Sequence, residues 1–241
     1  IYPFLFSTVI HSFLDAPYIC IWNMVHHACN KQEDSTRDYT IVVDRSASMK
    51  LKKRWSEAEH AVKALCAQTC KCDSDGISLY FFSSHSITGK GETPPFLLYK
   101  NVTSGEDVMT QFANPSNQPK GGTDLTKVLR DALPAEASGK PQSILIITDG
   151  CPDDARSTED LIINTINSLP SPDDLSLTFI QVGDDTQGNN YLEELDNTLK
   201  SRGAKHAIVD QVSHSAMEAK FGKDFSFSDI VEKSILQARE K

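Results

Sequence analysis

At 241 residues, 39% hydrophobic and 24% charged, the chain has room for one large domain or two small ones and is too apolar for a disordered acidic tail. Its 24 lysines and arginines face 33 aspartates and glutamates, a net charge of −9 that opposes phosphate neutralisation and argues against DNA or RNA as a partner. Six cysteines are too sparse for a disulfide scaffold and read mostly as reduced thiols.

Residues 1–30 carry a single charge, Asp15, among Phe4, Leu5, Phe6, Ile10, Phe13, Leu14, Ile19, Ile21 and Trp22. The composition is membrane-like, yet a spanning helix needs about 20 continuous apolar residues. Pro3, His11, Asp15, Pro17, Asn23, His26 and His27 interrupt this stretch, and no basic region precedes it. The expectation is an extension or docking segment, with a truncated signal or membrane anchor as the alternative. A polar linker, residues 31–38, follows.

From Tyr39 the pattern changes to short apolar runs separated by helical spacings. The runs are Tyr39–Val43, Ile77–Phe82, Ser143–Ile147, Leu177–Val182 and Ala207–Val209, and several are nearly continuous and β-branched, as buried strands are. Between them, helical periodicity marks Trp55 to Cys66, Leu125 to Leu133, Leu161 to Leu169 and Tyr191 to Leu199. A short edge strand is expected around Leu97–Val102, after the Pro94-Pro95 break. The alternation predicts an α/β fold, a doubly wound, mostly parallel sheet with helices on both faces and one short antiparallel edge strand. A terminal helix carrying Ile230, Val231, Ile235 and Leu236 is expected in the tail, residues 211–241. The expected organisation is thus a leader and linker over residues 1–38, a domain over 39–210, and that tail.

In an open parallel sheet, ligands bind beyond the carboxyl ends of the strands. There the first run enters Asp44-Arg45-Ser46-Ala47-Ser48-Met49, the third enters Thr148-Asp149-Gly150, and Gly121-Gly122-Thr123-Asp124 opens the helix at Leu125. Two carboxylates and three hydroxyls form a hard oxygen set suited to Mg²⁺ or Mn²⁺, with no thiolate or imidazole to favour zinc. Each piece also has an ordinary reading, since Ser and Thr cap helices and Asp-Gly makes turns.

Asp44, Ser46, Ser48, Thr123 and Asp149, with intervals of 79 and 26 residues between the three segments, resemble the metal-ion-dependent adhesion site of von Willebrand factor type A domains. The resemblance covers about residues 39–210 and implies a Rossmann-like domain that binds a divalent cation and, through it, an acidic side chain of a protein partner. It implies Ser46, Ser48 and Thr123 as direct ligands, with Asp44 and Asp149 supplying charge, partly through water. In some relatives the closing helix shifts as the metal changes coordination, a role open here to the Ile230–Leu236 segment. The Asp-Arg-Ser-Ala-Ser-Met style of motif and the sparse cysteines resemble intracellular members, so a cytoplasmic location is expected, with secretion or anchoring as the alternative.

Neighbouring residues leave choices open. Arg45 reads as a solvated loop cation or as the partner of an acid; Asp124 as a cap or an outer-shell group; Asp153-Asp154 and Asp184-Asp185 as an acidic rim. Cys66, Cys70 and Cys72 lack the second pair that a zinc site needs. Gly89-Lys90 lacks the flanking glycine and hydroxyl of a phosphate loop, and no nucleophile elbow occurs. Asn101-Val102-Thr103 is a glycosylation acceptor that matters only on a secreted chain. The expected function is therefore cation-dependent protein binding, not catalysis. Its competitors are a metal-dependent hydrolase, which needs a general base near the metal, and a scaffold whose metal is purely structural.

Overall fold

A computed structural model describes residues 37–70, 75–88, 91–134 and 140–221. The strands are β1 (Asp38–Asp44), β2 (Ile77–Phe82), β3 (Ser86–Thr88), β4 (Gly91–Thr93), β5 (Phe96–Val102), β6 (Gln142–Thr148), β7 (Leu175–Gln181) and β8 (Val209–Val212). The helices are α1 (Arg54–Thr69), α2 (Gly105–Ala113), α3 (Leu125–Ala132), α4 (Ala155–Ser168), α5 (Thr186–Thr198) and α6 (His214–Phe221). Six strands form one sheet in the order β5-β2-β1-β6-β7-β8, and β3 and β4 make a separate antiparallel hairpin. Every pair in the large sheet is parallel except β2 with β5.

The central strands are apolar throughout because both of their faces are covered. Alternation divides them between two cores: Ile41, Val43, Leu79, Phe81, Leu145 and Ile147 face one side, and Val42, Tyr80, Phe82, Ile144 and Ile146 the other. α1 buries Ala58, Ala61, Val62, Leu65 and Cys66 in the first core, beside Val108 and Phe112 of α2 and Met217 of α6. Trp55 of α1 stacks at 4.7 Å on Phe112 and 5.9 Å from Phe81. The opposite core takes Leu125, Val128 and Leu129 of α3, Ile162 and Ile166 of α4, and Leu192 and Leu195 of α5.

The doubly wound reading holds, with differences of detail. The antiparallel edge strand β5 starts one residue earlier than expected and spans seven residues, of which Phe96, Leu97, Leu98, Tyr99 and Val102 pair with β2 across a register shift. α2 was not expected: the Ser104 hydroxyl accepts from the Asp107 amide at 3.1 Å to start it, and only Val108 and Phe112 bury. β8 begins at Val209 rather than Ala207 and extends through residue 210, so the expected domain boundary falls inside a strand, and Val212 and Met217 beyond it belong to the core. At the other end, Arg37 of the expected linker donates to the carbonyls of Gln142 and Asp173 and to the Ser143 hydroxyl. No helix among the described residues is long and apolar enough to cross a membrane. The leader, Cys72, Gly89-Lys90 and the Ile230–Leu236 segment lie outside the described residues.

Candidate functional site

β1 lies between β2 and β6, so the chain leaves β1 for one half of the sheet and leaves β6 for the other. α1, which follows β1, covers one face, and α4, which follows β6, covers the opposite one. The loops at the carboxyl ends of these neighbours therefore diverge and open a crevice. Asp44 is the last residue of β1, and Asp149 follows the last residue of β6.

Asp44 is fully buried, with both carboxylate oxygens engaged. One accepts the Ser46 amide at 2.6 Å, and the other accepts the Thr148 hydroxyl at 2.7 Å. Burial, followed by the charge of nearby Asp149, pushes its pKa up to about 7 against the opposing hydrogen bonds from Ser46 and Thr148. The protein's own groups leave this carboxylate short of positive charge.

The two serines do not cap. Ser46 stands at the N-cap of the 3-10 segment Ala47–Lys53 without a side-chain capping bond. Its hydroxyl instead meets that of Ser48 at 2.9 Å, and the Ser48 hydroxyl donates to Asp149 Oδ1 at 3.1 Å. Met49, completely buried, anchors the loop that presents them.

Thr123 arrives from a third segment laced to the first. The Ala47 amide donates to the Gly121 carbonyl, the Ser84 amide to the Gly122 carbonyl, and the Lys120 amide to the Arg45 carbonyl. Asp153 completes the fastening: one carboxylate oxygen accepts the Thr123 amide at 2.9 Å and also the Ser84 hydroxyl. A side chain at Gly122 would place its Cβ 2.6 Å from Asp153 Oδ2 and 2.7 Å from Ser84 Oγ, so this fastening requires glycine. The cap of α3 is Asp124, which accepts the Lys127 amide at 3.2 Å, so the Thr123 side chain is not the cap. Ser48, Thr123 and Asp149 line one cleft of about 270 Å³, shared with Arg54, Gly150, Cys151, Pro152, Asp185 and Gln187.

The charged neighbours differ from their sequence readings. Arg45 is not solvated and pairs with no acid among the described residues: it is fully buried, and its guanidinium donates to the Ser116 carbonyl at 2.7 Å and the Pro94 carbonyl at 2.9 Å. Burial holds its pKa below the ordinary value. The rim acids are occupied internally. Asp154 caps α4 and Asp185 caps α5, Asp153 holds the Thr123 loop, and Asp184 takes Lys52 at 2.8 Å.

The sequence reading missed Arg54, Thr148 and the role of Asp153. Arg54, the first residue of α1, reaches Asp149 Oδ2 at 2.5 Å, with both side chains buried. Only long-range geometry announces it, because 95 residues separate the pair, and 104 separate Thr148 from Asp44.

The oxygens that converge fit a small hard cation. Adjacent ligands of an octahedral Mg²⁺ with bonds of about 2.1 Å lie about 3 Å apart, and the contacts Ser46–Ser48 and Ser48–Asp149 measure 2.9 and 3.1 Å. Soft or imidazole coordination has no counterpart, since no group of three or more His, Cys, Asp or Glu converges among the described residues.

Residues 39–152 match the family model of the von Willebrand factor type A domain. No curated protein matches the chain significantly. Among solved structures, the open conformation of the pilus adhesin SpaC from Lactobacillus rhamnosus GG is similar with a TM-score of 0.55 and 15% identity, over 87% of this chain and 30% of that one. Another crystal structure of SpaC gives 0.53 and 16%, over 87% and 31%. Proximal thread matrix protein 1 of the mussel byssus gives 0.51 and 14%, over 83% and 47%. The chain thus spans under half of each of these structures, and at such identities the likeness is one of fold.

Proposed function

This chain carries a von Willebrand factor type A domain, and we propose that it is a cation-dependent protein-binding module in which Ser46, Ser48 and Thr123 bind Mg²⁺ or Mn²⁺ directly while Asp44 and Asp149 supply the charge. The observation that carries this reading is the hydroxyl–hydroxyl–carboxylate run Ser46–Ser48–Asp149, set at octahedral spacing beside a buried and undercompensated Asp44. A bound divalent cation supplies a Lewis-acidic charge with a coordination position that a carboxylate oxygen can fill.

The remaining residues support an acidic partner. Of the rim acids, Asp184 is paired with Lys52, while Asp153, Asp154 and Asp185 are held in place by amide hydrogen bonds and keep their charge, so the cation itself has to supply the attraction for a carboxylate. The loop next to Ser48 turns Lys50, Leu51 and Lys53 to solvent, two cations and an apolar side chain placed to receive an acidic, partly apolar segment. The cleft lining offers no imidazole base. Cys151, its one thiol, has its pKa raised by burial and by nearby Glu159, Asp153 and Asp185, which disfavours the thiolate a nucleophile needs. That lining supports the proposal of a binding rather than a catalytic role.

The test is calorimetric titration with Mn²⁺ followed by affinity capture with and without EDTA. The reading expects one strong Mn²⁺ site and partners lost on chelation. Partners retained in EDTA by a metal-binding protein would leave the cation a structural role. The module's place is proposed to be the cytoplasm, on its sparse cysteines and motif style, and cell fractionation checks it.

A further inference from the structure

Arg54 is an unusual presence beside a site that is to attract a cation. Its side chain is 8% exposed and that of Asp149 is 3%, so the 2.5 Å contact between them is shielded from solvent. The second guanidinium nitrogen lies 3.8 Å from Asp184, but Asp184 is half exposed and already gives both oxygens to Lys52 at 2.8 Å. Asp149 is thus the anion to which Arg54 is committed. The guanidinium takes Oδ2, whereas Oδ1 receives the Ser48 hydroxyl.

The arginine is held in this position from behind. Gly183 has φ of +75°, and a Cβ there would lie 2.5 Å from Arg54 Nε and 2.9 Å from its Cγ. That nitrogen has no hydrogen-bond partner among the described residues. A donor left unpaired inside the protein carries a cost, and the guanidinium bears it while keeping its charge within reach of the site.

We propose that Arg54 is a resident counter-charge that sets the site's balance, lowering its affinity for the cation in exchange for a loaded site that stays net positive toward an acidic ligand. The inference rests on the cation-site reading above. Asp44 and Asp149 contribute two negative charges and Arg54 one positive, so a divalent cation brings the cluster to +1; without Arg54 the loaded cluster is neutral. In a poorly solvated cluster a unit charge at this range acts strongly on both equilibria, and in opposite directions. Arg54 is therefore a positioning and charge-setting residue and not itself a ligand.

The experiment compares the full chain with Arg54→Gln, which keeps a donor toward Asp149 but removes the charge, and Arg54→Lys, which keeps the charge but loses the planar fork. Mn²⁺ affinity is read by calorimetry. Carboxylate affinity is read from the fall in water-proton relaxation of protein-bound Mn²⁺ as acetate is added. The expected result is Mn²⁺ binding at least tenfold tighter and acetate binding at least tenfold weaker in Arg54→Gln, with Arg54→Lys within about threefold of the parent in both, as conservation of charge requires. Unchanged or weaker Mn²⁺ binding in Arg54→Gln overturns the proposal, as does tighter Mn²⁺ binding with unaltered acetate affinity. If Arg54→Gln does not fold, Arg54→Lys decides: a tenfold loss of Mn²⁺ affinity there makes the arginine's shape, not its charge, the determinant. A parent chain that binds no Mn²⁺ overturns the underlying cation site instead, so the two failures are distinguishable.

Discussion

Asp44 ties the metal-free domain's stability to pH in a direction opposite to that of a salt-bridged carboxylate. Its folded-state pKa is about 7 against an ordinary 3.8, so the native state holds this proton more tightly than the unfolded chain does. The stability it contributes is complete below about pH 4, is lost as pH rises toward 7, and changes little above that. At about 1.4 kcal/mol per tenfold change in proton affinity, the full span amounts to about 4 kcal/mol, of which about 3 fall between pH 5 and pH 8. Asp44→Asn fixes the neutral form with its bonds retained: the amide oxygen accepts the Ser46 amide, and the Thr148 hydroxyl, freed to accept from the amide nitrogen, also has the Gly150 carbonyl at 3.4 Å. Urea unfolding in EDTA at pH 5 and pH 8 should show the parent losing about 3 kcal/mol relative to Asp44→Asn, while other titrating groups cancel in the difference. Added Mn²⁺ at pH 8 should restore the parent and not the variant. Parallel behaviour of the two proteins across this range would refute the claim that Asp44 is buried without sufficient positive charge.

Ser48→Ala and Thr123→Ala should each weaken Mn²⁺ binding at least tenfold in calorimetry while altering unfolding free energy by less than about 1 kcal/mol, since neither side chain supports a core. Gly183→Ala should cost about 2 kcal/mol or more in urea unfolding, because it combines a left-handed backbone at φ +75° with a collision against Arg54. Arg45→Met should destabilise by about 3 kcal/mol, since it strips two carbonyls of charge-assisted bonds inside the protein; a loss below 1 kcal/mol would mean that water replaces the guanidinium.

How far the molecule could be read in advance follows from where each signal resides. β1, β2, β6 and β7 were legible because burial on both faces writes a continuous apolar run, and α1, α3, α4 and α5 because their spacing survives along the chain. α2 was not, since its nine residues bury only Val108 and Phe112. β8 was displaced because Asp210 and Gln211 look like loop, yet an outermost strand needs one covered face only. The five candidate ligands were proposed from their pattern, and of these the structure joins Ser46, Ser48 and Asp149 in one hydrogen-bonded run, with Thr123 lining the same cleft as Ser48 and Asp149. Arg54 and Arg45 were not legible: the first answers a carboxylate 95 residues away, and the second answers backbone carbonyls, which have no side-chain signature.

The site joins three stretches that meet only across the finished sheet: Asp44 to Ser48, Gly121 to Asp124, and Thr148 to Asp153. No two of them are neighbours in sequence, and the β1–β6 pairing that unites the first and last must close a loop of about a hundred residues before it yields any contact energy. A cation at the proposed site would draw on all three segments, so it would bind the assembled sheet and not the unfolded chain. Its effect should be kinetic on one side alone: saturating Mn²⁺ prolongs the lifetime of the native state by slowing unfolding, and leaves the rate of refolding where it was.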